Sequence, residues 1–370
     1  MDGSQQRDCR SDHTASMMID FLYEAPVFAR SISIAIAAIG SVLGVQSVRA
    51  QSIPSTYHVT RRIPVRGDGG WDYVTFDTAR SRIFVARATR IQVVDANSGQ
   101  LVGELQNTPG VHGVALAYDL NKGFTSNGRD TTVTAFDFVT LATTKIIHVT
   151  GADPDGILYD SATKRIFTFN GRGENTTAID AVGDTVAGTL ALGGKPEAGV
   201  ADGMGHIFVN IEDKGMIVEF DAAKLTILHS YPLAPCEEPS GLAMDRVHRV
   251  LFTGCGNRMM GIVDANTGRI IATPVTDGGT DGNAFDPITG IAFSANGAGT
   301  LTLVTQPTPG KFVSENIPTA PGARTIALDP KTHRVYLITA DFTPLPAPVA
   351  GQRQRRTIVP GSFVVLVVGR

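Results

Sequence analysis

The sequence predicts an all-β fold, a seven-bladed β-propeller of four antiparallel strands per blade, and three observations point there. An aromatic residue recurs at a near-constant interval. A fixed grammar of turn residues surrounds each copy. The two ends of the chain hold complementary parts of one blade.

The aromatics are Phe84, Phe124, Phe167, Phe208, Phe252, Phe293 and Tyr336, spaced 40 to 44 residues apart. Each lies in a short apolar stretch, as in Arg82-Ile83-Phe84-Val85, and is expected to pack one blade on the next. Around each copy a first strand ends in Asp, for example Asp77, Asp245, Asp286 and Asp329. A carboxylate suits that corner because it can accept hydrogen bonds from the turn amides. A third strand ends in a second Asp followed by a glycine turn. Asp95-Ala96-Asn97-Ser98-Gly99 and Asp264-Ala265-Asn266-Thr267-Gly268 are nearly the same peptide. A fourth alternating strand completes the unit. Four short strands per repeat of about this length describe a propeller blade, and blades must stack to cover their apolar faces.

The last repeat runs out of chain after Phe363-Val364-Val365-Leu366-Val367-Val368. Its missing outer strand is expected from the other end, around His58-Val59-Thr60-Arg61-Arg62-Ile63-Pro64. Pro64 is tolerable there because an edge strand need not donate at every position. Such closure hides the last unpaired edges.

Composition agrees with this reading. Of 370 residues, 40 are Gly and 20 Pro, a surplus of turn formers, with 42% hydrophobic and 18% charged residues. The net charge of −3 and pI near 6.2 give no electrostatic basis for general nucleic-acid or anionic-membrane binding.

The first fifty residues differ from the rest. Arg30 precedes an apolar run, residues 32–45, and Val48-Arg49-Ala50 ends in a small residue. This is the pattern of a secretory signal, with cleavage expected after Ala50; the alternative is an uncleaved anchor. The run is short for a membrane span, so no transmembrane span is expected in the mature chain. The stretch before it is long for a signal, and Met17 or Met18 could be the true start. Residues 51–370 are then one exported domain, periplasmic or extracellular, expected to act as a monomer. Cys9 would be lost with the signal. Cys236 and Cys255 flank a hairpin and could form a disulfide, which persists outside the cytoplasm; two free buried thiols are the alternative.

The pattern resembles the YVTN-repeat propellers, in particular exported YncE-like proteins. Gly69-Gly70-Trp71-Asp72-Tyr73-Val74, the paired Asp-Ala-Asn-Ser/Thr-Gly turns and Asn296-Gly297-Ala298-Gly299-Thr300-Leu301-Thr302-Leu303 carry the likeness, over everything after residue 56. The resemblance implies the fold and leaves the activity open. WD40 and Kelch repeats fit less well: the chain has a single tryptophan, and its period is short for Kelch. Two departures from regularity stand out, a shortened first turn in the second blade (119–124) and an insertion in the last.

The loop entering each innermost strand opens near the propeller axis. Twelve residues before the repeat aromatic stand Asp72, His112, Asp155, Ser240, Asp281 and Arg324, and eleven before Phe208 stands Glu197. Four carboxylates, a histidine, a serine and an arginine thus occupy one structural place. Four like charges cannot all stay ionised without compensation. Three outcomes are open: a divalent cation held by carboxylates such as Asp155, Glu197 and Asp281; a cationic or polyhydroxylated ligand with Arg324 neutralising part of the cluster; or carboxylates that only cap loop amides. The first would allow metal-assisted hydrolysis, lactone opening or a lyase step, with His112, Asp155 and Glu197 as candidate catalytic residues and His112 as base. The second makes the protein a scaffold for a small molecule or a protein partner at its funnel face. No nucleophile elbow, zinc-protease helix or phosphate loop is present.

A second ring of loops contains Arg129, Arg172, Lys214 and Arg258, either a basic rim or ordinary solvated charge, and its Asn-Gly pairs read as tight turns. The insertion 341–360, rich in Pro and Arg (Pro344, Pro346, Pro348, Pro360, Arg353, Arg355, Arg356), leaves the same face as a lid, a docking arm or a disordered segment.

Overall fold

The structure, a computed structural model, describes residues 56–344 and 357–370. The expected signal segment, Cys9 and the centre of the insertion, including Arg353, Arg355 and Arg356, lie outside the described residues. Among the described residues twenty-eight strands form seven four-stranded antiparallel sheets. In the first blade the strands run Val74–Asp77, Arg82–Arg87, Arg90–Asp95 and Leu101–Gln106 from axis to rim. The next five repeat that order. The seventh takes Ile326–Asp329, Arg334–Thr339 and Val364–Gly369 from the C-terminal end and its outer strand, His58–Pro64, from the other. His58 pairs with Gly369 and Pro64 with Val364, so closure is by main-chain hydrogen bonds. Among the described residues no helix is long and apolar enough to cross a membrane.

The repeat aromatics occupy the second strand of every blade and are buried. They join blades. Tyr336 stacks on Phe76 at 4.9 Å and Phe252 on Phe285 at 5.0 Å, while Phe84 meets Phe136, Phe167 meets Phe220, and Phe293 meets Tyr57. Each pair crosses from one sheet to its neighbour. Burying such a ring is worth about 1.5–3 kcal/mol, so the period of the sequence is the period of the inter-blade core.

The Asp corners behave as their chemistry requires. Asp77 Oδ1 accepts from the amides of Ala79 and Arg80 at 3.0 and 3.2 Å, and Asp245 and Asp329 repeat the device. Asp95 and Asp264 close the second turns by accepting from Ser98 and Asn266. The shortened turn of the second blade becomes a single 3-10 turn, Tyr118–Leu120, which exits through a left-handed Asn121.

The Asn-Gly pairs do more than turn the chain. Asn127, Asn170 and Asn296 are fully buried, and their amides donate to hydroxyls of the third strand: Thr132 and Thr134, Thr177, and Thr300 and Thr302. In the fifth blade the equivalent position, three residues past the aromatic, is Cys255. It is bonded to Cys236, with Cα atoms 5.4 Å apart, and ties the loop between two blades to the second of them.

Candidate functional site

One local device aims the ring residues at the axis. His112, Asp155, Glu197, Ser240 and Asp281 are each the second residue of their innermost strand, and pairing with the second strand is irregular at that point in all five blades. A bulge of this kind re-aims a side chain. Asp72 and Arg324 stand two residues ahead of Val74–Asp77 and Ile326–Asp329, at the same height. Two residues before the ring position the chain turns through the left-handed region at Gly110, Asp153, Glu238, Gly279 and Gly322. Glycine does this without strain; Asp153 and Glu238 do not. The residue after the ring position is small in six blades: Gly113, Gly156, Ala198, Gly241, Gly282 and Thr325. A Cβ on Gly156 would come within 2.7 Å of the Glu197 carbonyl, so glycine lets neighbouring inner strands approach.

The seventh residue of that set is Tyr73. It is half-buried, and desolvation together with the charges of Asp155, Asp281, Asp72 and Glu197 pushes its phenol well above the ordinary value. The phenol therefore stays neutral at the floor of the acidic ring. Sequence reasoning passed over Tyr73, although an aromatic where the other copies have Gly, Ala or Thr was a visible signal.

The ring residues fall into three groups. His112 Nδ1 lies 2.6 Å from Asp72 Oδ2 and 3.5 Å from Asp155 Oδ1, and its Nε2 is 4.0 Å from Asp153. Arg172 in turn pairs with Asp153 at 3.1 Å. On the second side Lys195 bridges Glu197, at 2.6 Å, and Glu212. On the third Arg324 Nε meets Asp281 Oδ2 at 2.9 Å. Ser240 stands apart: its hydroxyl donates to the Thr280 carbonyl at 2.8 Å, buried, and is used to join two blades.

Burial works against a charge on His112, but the bond to Asp72 and the charges of Asp155, Asp72 and Asp153 outweigh it, and its pKa rises to about 9. At neutral pH a value there favours the protonated imidazole, which can give a proton. Burial raises Asp155 to about 7, with His112 opposing and Asp72, Asp281 and Asp153 adding. Burial and the Asp155 charge raise Glu197 to about 8 against the pull of Lys195. Asp281 is raised too, by burial, less the effect of Arg324.

Three groups could share a divalent cation, since ligand atoms of Asp72, His112 and Asp155 all lie within 4.8 Å of one another. Of the set expected from sequence, Asp155, Glu197 and Asp281, only Asp155 belongs to this trio; Glu197 and Asp281 are engaged by Lys195 and Arg324. The outer cations are largely paired: Arg172 with Asp153, Lys214 with Asp213 and Arg258 with Asp277. The base of the insertion is a short ribbon, Phe342 bridging Ile358. Phe342 and Phe363 pack on Trp71, the residue before Asp72.

No protein-family model matches the chain, and no curated relative does either. Solved structures do. The chain is similar to Kuenenia stuttgartiensis hydrazine synthase, with a TM-score of 0.65 at 14% identity, over 74% of this chain and 94% of that one. It is similar also to the structure of U3-55K, with a TM-score of 0.67 at 10% identity, over 83% and 98% of the two chains. At these identities the likeness shows the fold alone. The chain is a seven-bladed β-propeller.

Proposed function

We propose that the chain is an exported recognition scaffold of the YncE-like kind that binds a cationic small molecule, or a basic side chain of a protein partner, at its funnel face. The single observation behind this reading is the set of carboxylates Asp155, Glu197 and Asp281 at the mouth of the axis, Glu197 buried and the other two half-buried, all raised in pKa. Such groups gain from any positive charge placed among them, whether proton or ligand. Lys195 and Arg324 already neutralise two of them from the side, which leaves Asp155 facing the funnel with His112. A rigid ring carrying recognition groups on loops and strand ends is a general use of propellers. The signal-like N-terminal segment and the Cys236–Cys255 bond support export.

The test uses melting temperature against butylammonium and its neutral counterpart, butanol. A saturable rise with the cation, absent with the alcohol and lost in Asp155→Asn/Glu197→Gln, is expected. Equal responses to both probes would contradict the reading.

A second reading rests on the Asp72–His112–Asp155 trio. Two carboxylates and an imidazole suit a divalent cation such as zinc or manganese, which would supply a polarised water for hydrolysis, lactone opening or a lyase step. The cation must displace the proton on His112, so its affinity should rise steeply toward pH 9 and binding should release a proton. Calorimetry with zinc in buffers of different ionisation enthalpy decides this. Binding without proton release, or none, would remove the metal reading and leave the organic cation.

A further inference from the structure

At the end of the blades away from the ring, a basic side chain joins one blade to the next. In three seams it is the first residue of the second strand, which reaches carbonyls just past the third-strand corner of the following blade. Arg82 donates to Phe138, Lys122 to Ala181 and Val182, and Arg165 to Ala222 and Ala223. Between the fourth and fifth blades the residue before that position, Arg249, reaches back to the corner carboxylate of Asp202 at 2.6 Å. His333 does the same to Asp286 at 2.7 Å between the sixth and seventh. Between the seventh and first, Arg61 of the outer strand donates to Ala96 and Asn97. Six seams are therefore closed by a guanidinium, an ammonium or an imidazole, and guanidinium is the commonest.

The seam between the fifth and sixth blades draws on none of these three sources. Val250 begins the second strand, and Gly290 stands where Arg249 and His333 do. Ala272 holds the register of Arg61: it pairs through Ile262 with Phe252, as Arg61 pairs through Val367 with Tyr336. Among the described residues no cation crosses this seam at that end. A cavity of about 320 Å³ lies there, with Val250 and Gly290 in its wall. The acceptors that meet a cation elsewhere are in the same wall. They are the corner carboxylate Asp245 and, past the third-strand corner, Gln306 and Pro307. Phe252 and Phe285 stack there at 5.0 Å, as Tyr336 and Phe76 do at 4.9 Å in the seam that Arg61 closes, and Phe312 adds a third ring. Asp245 Oδ2 is held at 2.7 Å by His248 of its own blade, whose side chain is largely exposed. So exposed a pair contributes little, and an incoming cation can take its place.

We propose that this seam is a binding site for an alkylguanidinium group, an arginine-like chain entering from outside the ring. The guanidinium donates to the Asp245 carboxylate and to main-chain oxygens of Gln306 and Pro307, and stacks on the phenylalanine rings. Its alkyl stem runs along Val250. An anion would be repelled by Asp245, and a neutral chain without donors would leave the acceptors unserved. The site is separate from the acidic ring. Strand Pro239–Asp245 carries Ser240 at one end and Asp245 at the other, roughly 16 Å apart at about 3.3 Å per residue.

The probe is butylguanidinium, titrated into protein labelled with ¹⁵N, with the neutral butylurea as control. Saturable shifts are expected at the Val250, Gly290 and Gln306 amides, absent with butylurea and retained in Asp155→Asn/Glu197→Gln. Val250→Arg supplies the cation from within, as in the first and third blades, and should weaken the probe at least tenfold at those amides. If Val250→Arg does not fold, Ala272→Arg, on the outer strand at the register of Arg61, takes its place. No saturable shift at the three amides, an equal response to butylurea, or full binding in the folded arginine variant would each overturn the assignment. A parallel titration with acetyl-Gly-Arg-Gly-amide separates the sources: tighter binding of the peptide supports an arginine of a partner chain, and tighter binding of butylguanidinium a free guanidino compound. Loss of the seam response leaves the ring reading standing, because the amides and the variants that report on the two sites differ.

Discussion

His112 and Asp72 set the electrostatics of the funnel between them. The imidazole is held protonated by the 2.6 Å bond to Asp72 and by Asp155 behind it. Asp72→Asn should lower the His112 pKa from about 9 toward its ordinary 6.5, read by histidine NMR titration; an unchanged value would place the cause elsewhere. Arg87 is the second residue on which the site depends. It is fully buried, stacks 3.6 Å from the Phe363 ring, and donates to the carbonyls of Gly67, Gly70 and Asp68 and to Gln92. It thereby fixes the loop that delivers Trp71 and Asp72. Arg87→Met leaves those carbonyls unpaired and should cost roughly 2–4 kcal/mol in denaturant unfolding; a loss below 1 kcal/mol would show that the loop holds itself. At this scale the sequence was informative about position and poor about role. The ring residues were found by counting from the aromatics, because the bulge recurs at a constant offset. That Ser240 bonds the next blade's backbone and Arg324 reaches Asp281 depends on side-chain reach across blades, and that Lys195 turns back onto Glu197 depends on the local conformation of the loop; a repeat count contains neither.

The strand is the level at which the disulfide acts. Cys255 occupies the register of Asn127, Asn170 and Asn296, where other blades anchor the third strand through threonine hydroxyls. In the fifth blade a covalent bond to Cys236 holds the incoming loop instead, 19 residues away in sequence. Cys236→Ser/Cys255→Ser should lose on the order of 3 kcal/mol, measured by guanidinium unfolding under non-reducing conditions, with the ring titrations unchanged. An equal stability for both forms would mean that the loop is held by packing. The Asn-Gly pairs illustrate the limit of strand-level reading. The turn was legible from the dipeptide, while the buried amide network was not, because it needs the register that sets Asn127 opposite Thr132.

At the scale of the whole molecule the fold was written in the sequence almost completely. Period, corner aspartates and complementary chain ends are each consequences of packing one blade against the next, so they recur. What is not periodic shows where the repeats differ, as with Tyr73 among small residues and His112 among carboxylates. The ring also makes a global prediction for the metal-free protein. Asp155 and Glu197 are raised from 3.8 and 4.5 to about 7 and about 8, and His112 from 6.5 to about 9. Between each pair of values the folded state binds more protons than the unfolded state, so all three groups make stability fall as pH rises from about 4 to 9. The melting temperature should decline across that window, and Asp155→Asn/Glu197→Gln should flatten it; a rise with pH would have the wrong sign.

The proposal that the funnel mouth is built to receive positive charge is tested most directly by ¹³C NMR titration of the Asp and Glu carboxyl groups in the chelated protein. Resonances of Asp155 and Glu197 should titrate near neutrality and shift down in pKa when butylammonium is added at saturation. If both titrate in the ordinary range around 4 and ignore the cation, the ring is a set of loop caps and the recognition site lies elsewhere.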